Sequence, residues 1–179
     1  MDSWTIAGNI HELIKAATSV GSRGSFVTRT RLQKFAYLVE HLFHIPLGLE
    51  PRLSYYGPYA SELASATDLL KQYHAIDEKG DEAGYRIELG EDCPLFVASP
   101  DLSPEALKKV LRRLVGFNTH ELILMATAHF IETHSKVRPM DDEILANEVQ
   151  EIKPHYDRSM ILAAIGELRK LQESRQPTP

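Results

Sequence analysis

The stretch Leu53-Ser54-Tyr55-Tyr56-Gly57-Pro58-Tyr59-Ala60-Ser61-Glu62-Leu63 decides how the rest of the chain is read. Three tyrosines surround a Gly-Pro step, at the point where a short extended segment, Arg52 to Tyr56, gives way to helical spacing. Pro58 suits a first helical position because the N–H it lacks would be unpaired there, and Gly57 permits a sharp entry. Leu63, Ala66, Thr67 and Leu70 then recur on one face, which predicts a helix over about 58–73 with Glu62, Ser65, Asp68, Lys71 and Gln72 turned outward.

Upstream, Ile6, Ile10, Leu13, Ile14 and Ala17 form the stripe of a helix over about 6–20, with Thr5 as its expected N-cap. Gly21-Ser22-Arg23-Gly24 ends that helix, and Ser25-Phe26-Val27 reads as a short edge strand before a cap at Thr28. Leu32, Phe35, Ala36, Val39, Leu42 and Phe43 predict a second helix over about 30–43. Downstream, Tyr85/Ile87/Leu89 alternate with Arg86/Glu88, so residues 75–89 read as a hairpin. Helix, strand, helix, strand, helix and hairpin is the order of an elaborated winged helix, here over 1–98.

After a connector at 90–102, residues 103–175 read as a helical lobe. Ser103-Pro104-Glu105 starts one helix, and Asn118 with Glu121 makes a capping-box start for another. Asp141/Asp142 open a third that Lys153-Pro154 ends, and a last runs from about Asp157 to Gln172 before the Gln176–Pro179 tail. The expected fold class is α+β and predominantly α-helical. A winged-helix-like N-terminal half with a small β-hairpin packs against a helical C-terminal half, as one compact domain overall.

The bulk numbers agree with an ordinary globular protein: 179 residues, 43% hydrophobic and 25% charged. No apolar run nears the roughly 20 residues of a membrane span, and Asp2 stands where a signal peptide would carry basic residues. Cys93 is the single cysteine, so no internal disulfide forms and a cytoplasmic location is expected. The net charge of −5 argues against sequence-independent nucleic-acid binding. That charge is uneven: residues 21–58 carry five Lys/Arg against two acids, and residues 59–105 carry three against eleven.

Catalytic and metal motifs are missing. His120-Glu121 opens like a zincin helix, but Leu124 occupies the second histidine's place. His41 and His44 have ligand-like spacing without a third ligand nearby, so no metal is expected. Cys93 lies among acids that raise a thiol pKa, and neither a nucleophile elbow nor a phosphate-binding loop occurs. The expectation is a non-enzymatic protein without a cofactor. As a winged helix its reader would be the 58–73 helix, which offers only Lys71 on its outer face. Arg29, Arg31 and Lys34 are the basic cluster nearby, and a DNA-binding transcriptional regulator using them is the alternative reading.

Two blocks carry a family resemblance: Arg31-Leu32-Gln33-Lys34-Phe35-Ala36-Tyr37-Leu38-Val39-Glu40, and the tyrosine stretch at 53–63. Together they resemble the YwgA-like family and the larger Panacea (SocA-like antitoxin) group, which pair an "LQK-aromatic-x-Y" helix with a later "YGP-x-S-x-E-L" turn-helix. Glu151-Ile152-Lys153-Pro154-His155-Tyr156 is similar to a third, C-terminal YwgA-like element. The resemblance implies a bacterial protein-interaction module without enzyme activity. Its partner would be a protein, a toxin in the antitoxin branch. The uneven charge separately allows a homo-oligomer through self-association of unlike faces.

The tyrosine stretch also gives the candidate site. If Gly57-Pro58 sets a helix N-terminus, its free N–H groups face the helix carrying Arg31 and Lys34. The expected interaction pocket is Arg31, Lys34, Tyr37, Tyr56 and Tyr59, an electropositive recess in an acidic protein. It would receive an acidic group, from a partner or from Glu40 or Glu62 of the same chain.

Overall fold

Helix α1 (Ser3–Val20) starts three residues earlier than its apolar stripe announces, because Asp2 and not Thr5 is the cap. The Asp2 carboxylate accepts from the Trp4 and Thr5 N–H groups, and the Thr5 hydroxyl donates to it as well. The computed structural model describes residues 1–21, 27–81, 84–91, 93–136 and 138–174. Ser25 and Phe26 of the expected edge strand and the Gln176–Pro179 tail lie outside them. Val27 is described: its carbonyl accepts from the Ile87 N–H at 2.7 Å, tying the start of the second helix to the later hairpin.

Thr28 caps α2 (Arg29–Tyr37), which runs on into a π-helical turn at Leu38–Leu42. The wider turn brings Glu40 onto the loop that follows, where its carboxylate accepts from the N–H groups of Leu47, Gly48 and Leu49. Two short strands come next, β1 (Arg52–Ser54) and β2 (Gly57–Tyr59), then α3 (Ser61–Gln72) and the hairpin β3 (Ile76–Asp81) with β4 (Gly84–Leu89). The C-terminal half is α4 (Pro104–Leu114), α5 (Thr119–His134), α6 (Asp142–Ile152) and α7 (Arg158–Glu173). Ser103 and Asn118 cap α4 and α5 as expected, with the full capping box at Asn118/Glu121.

The fold is α+β and predominantly helical. Helix α1 packs against α3 and α4, α2 against α5, and α5, α6 and α7 against one another. One hydrophobic cluster runs through both halves of the chain and contains Leu32, Phe35, Val39, Leu63, Leu70 and Ile87 together with α4–α7 residues. The connector crosses α1 closely: a Cβ on Gly8 would lie 2.4 Å from the Val97 carbonyl oxygen, so glycine is required there. Phe96 anchors the crossing between Trp4 and Tyr73, and Asn9 accepts from the Ser99 N–H while donating to the Leu47 carbonyl.

One element differs from the sequence expectation in a way that matters. Gly57-Pro58 does not begin a helix; it belongs to β2, and α3 starts at Ser61. Leu53 pairs with Pro58 and Ser54 with Gly57 across a two-residue Tyr55-Tyr56 turn. Proline is tolerated because a two-stranded ribbon leaves each strand an edge without a ladder partner. Gly57 has φ +85°, the left-handed conformation that follows many tight turns.

Candidate functional site

The β1–β2 ribbon is where the polar residues of three distant segments meet. From α2, the Lys34 amine donates to the Pro58 carbonyl at 2.6 Å. Gln33 brackets Ala60, donating to its carbonyl at 3.0 Å and accepting from its N–H at 2.9 Å. From α5, Thr127 closes the other side: a Cβ on Gly57 would sit 2.7 Å from its hydroxyl oxygen. From the end of α6, Lys153 reaches the Ser54 carbonyl at 3.4 Å and lies 5.4 Å from the Tyr55 ring centroid. The ribbon is thus held from behind by two lysines.

Its front is aromatic and exposed. Tyr55 and Tyr56 are 69% and 61% accessible and meet edge to face at 4.9 Å. Tyr55 stacks on His155, which leans on Tyr156, whose hydroxyl bonds His120 Nδ1 at 2.8 Å. That contact is how His120 is used. Among the described residues, no cluster of three His, Cys, Asp or Glu side chains is placed to hold a metal ion.

Lys34 and Lys153 are each only 1% accessible. Among the described residues, no carboxylate comes within ion-pair distance of either amine, so neither charge is neutralised. Burial, with a smaller contribution from the like charge of Lys153, pushes the Lys34 pKa down to about 7. Burial also depresses Lys153. Beside Lys34 lies a cavity of about 150 Å³ between α2, α3 and the ribbon, walled by Gln33, Ser54, Tyr56, Tyr59, Leu63 and Thr67.

Of the five residues expected to form one pocket, three converge on this cavity: Lys34, Tyr56 and Tyr59. Arg31 and Tyr37 do not. Arg31 turns to the α4–α5 junction, donating to the Phe117 and Val115 carbonyls at 2.8 and 3.1 Å with its guanidinium over the Phe35 ring. It thereby meets the carbonyls that end α4, a favourable place for a cation. Tyr37 is buried against α5, its hydroxyl 2.9 Å from His129 Nδ1, and burial raises its pKa. The glutamates expected to neutralise the pocket are elsewhere. Glu40 holds the 47–49 loop, and Glu62 lines a separate recess beside Ser3 and Ile6.

Gln33, Ser54, Thr67 and Lys153 are the site residues that sequence reasoning missed. Lys153 had a signal, since it sits in a quoted block, but it reads as a helix terminator. The basic cluster offered for DNA is consumed internally. Arg29 bonds Glu78 at 2.5 Å and Asp68 at 2.8 Å, and Lys71 bonds Glu78 at 2.8 Å. The Arg29 hydrogen bond, chief among these contacts, holds the Glu78 pKa at about 2.

No protein-family model matches this chain, and no curated protein matches it significantly. Among the described residues, no helix is long and apolar enough to cross a membrane.

Proposed function

We propose that the chain is a non-enzymatic protein-interaction module of the cytoplasm, with the tyrosine ribbon as its docking element. The observation that carries this reading is the pairing of a wide-open aromatic front with a buried, polar-clamped back. Tyr55 and Tyr56 present large contact area on side chains with few rotamers to lose, and the clamp limits the backbone ordering that binding would cost. The resemblance of residues 31–40, 53–63 and 151–156 to YwgA-like and Panacea proteins supports the same class of function. A toxin encoded beside the chain's own gene is the partner it favours. The DNA reading has no comparable support, because Arg29, Arg31 and Lys34 are all engaged within the protein.

The test is co-expression with the product of an adjacent reading frame, followed by size-exclusion chromatography with light scattering. A wild-type complex that is lost in Tyr55→Ser/Tyr56→Ser, with unfolding midpoint unchanged, is the expected result. A complex that survives the double substitution refutes the docking assignment. Salt-sensitive retardation of duplex DNA would favour the regulator reading instead, and a dimer of the chain alone would assign the ribbon to self-association.

A further inference from the structure

We propose that the cavity behind the tyrosine ribbon is a carboxylate site, in which the side chain of an acidic residue on a protein partner pairs with the Lys34 amine. This deepens the docking reading and rests on it for the source of the acid, though not for the chemistry of the cavity.

The argument begins with hydrogen-bond capacity. An ammonium has three donors, and among the described residues Lys34 uses one, toward the Pro58 carbonyl. A buried cation needs a counter-charge or it gives up its proton. Glu40 and Glu62, the acids expected to supply one, are turned to other tasks or other recesses.

The cavity has the shape and lining for what is missing. At about 150 Å³ it equals the volume of an engineered protein cavity that admits benzene, so a glutamate side chain or a benzoate fits. Leu63, Tyr56 and Tyr59 give apolar and aromatic walls for a carbon stem. Around the head, the Gln33 amide keeps one N–H beyond the one it gives the Ala60 carbonyl, whereas the Ser54 and Thr67 hydroxyls already donate to the Gly57 and Leu63 carbonyls. Few charged or titratable groups face Lys34 from the elements packed around it. Lys153 approaches from the end of α6 and the two cavity tyrosines from the ribbon. Arg29, on the cavity wall, is already paired with Glu78 and Asp68. Every nearby full charge is therefore positive or spoken for, and an entering carboxylate meets no competing acid.

Capture of the carboxylate then carries a proton with it. With an empty-site pKa near 7, Lys34 is about nine-tenths charged at pH 6 and about one-hundredth charged at pH 9. Affinity scales with the competent fraction, so it should fall about ninety-fold over that range.

Benzoate and its neutral isostere benzamide are the probes, titrated into the full chain and followed by amide NMR shifts. Benzoate should shift Gln33, Ser54 and Thr67 in a saturable way at pH 6, weaken about ninety-fold by pH 9, and outbind benzamide at least tenfold at pH 6. Lys34→Met should abolish the benzoate preference. Ala64 also lines the cavity, so Ala64→Phe fills it and leaves the lysine in place; this second variant should cut binding at least tenfold, whether or not Lys34→Met folds. No saturable binding at pH 6, equal affinity at pH 6 and pH 9, or equal binding of benzamide would each overturn the proposal. These outcomes are separate from the docking test. A ribbon-dependent complex without benzoate binding sinks the carboxylate site alone, and benzoate binding without a complex sinks the docking reading and the partner as source of the acid, but not the carboxylate chemistry of the cavity.

Discussion

Replacing Lys34 by methionine separates the cost of its burial from the value of its hydrogen bond. In an unfolded chain the amine titrates near 10.5, and in the folded protein near 7. The folded-state pKa is lowered, so between these values the unfolded state binds more protons and stability rises with pH, by about 1.4 kcal/mol per unit. At pH 7 the folded protein carries a penalty of about 4 kcal/mol from this group, and at pH 9.5 about 1.5 kcal/mol. Methionine has a similar length and no charge. It forfeits the bond to the Pro58 carbonyl at about 1–3 kcal/mol, a loss that does not vary with pH. Urea unfolding of wild type and Lys34→Met at both pH values gives four free energies, and their double difference isolates the titration. The variant should look relatively better at pH 7 and lose about 3 kcal/mol of that advantage by pH 9.5. A stability difference that is the same at the two pH values would refute the claim that Lys34 is a charge buried without a counter-ion.

Three further outcomes follow from the same geometry. Gly57→Ala meets both a φ of +85° and the Thr127 hydroxyl at 2.7 Å, so it should cost at least about 2 kcal/mol in denaturant unfolding, with Thr127→Ala recovering only the steric part. Leu63→Ala removes a buried side chain shared by the core and the cavity wall, and calorimetry should register a loss of about 2–5 kcal/mol. Glu78 has a lowered folded-state pKa, so its contribution is present above about pH 4.5 and is lost as the pH falls toward 2; Glu78→Gln should flatten that acid limb in circular dichroism, and an unchanged limb would count against the Arg29–Glu78 pairing.

What could be read from the residues was what neighbouring residues decide. Thr28, Ser103 and Asn118 cap their helices by accepting from the N–H three positions away, and the stripes at Leu32/Phe35/Val39 and Leu63/Leu70 repeat within a few turns. The β1–β2 ribbon was not legible. Its strands have three residues each, and Pro58 satisfies a helix start as well as a ribbon edge. Arg31 and Lys34 lie off the apolar stripe and read together as the basic side of one pocket. Their burial depends on carbonyls at 58, 115 and 117, which local spacing cannot announce. The three quoted blocks carried more than their periodicity did, since one forms the ribbon and the other two supply the lysines that hold it.

The ribbon's attachment also has a temporal side. The Lys34–Pro58 bond closes a loop of 24 residues, but the Lys153–Ser54 contact spans 99. Contacts of such separation form late, after the cost of closing the intervening chain has been met. The rear clamp of the ribbon is therefore complete only once the end of α6 has docked, and on a ribosome that must await synthesis of Lys153.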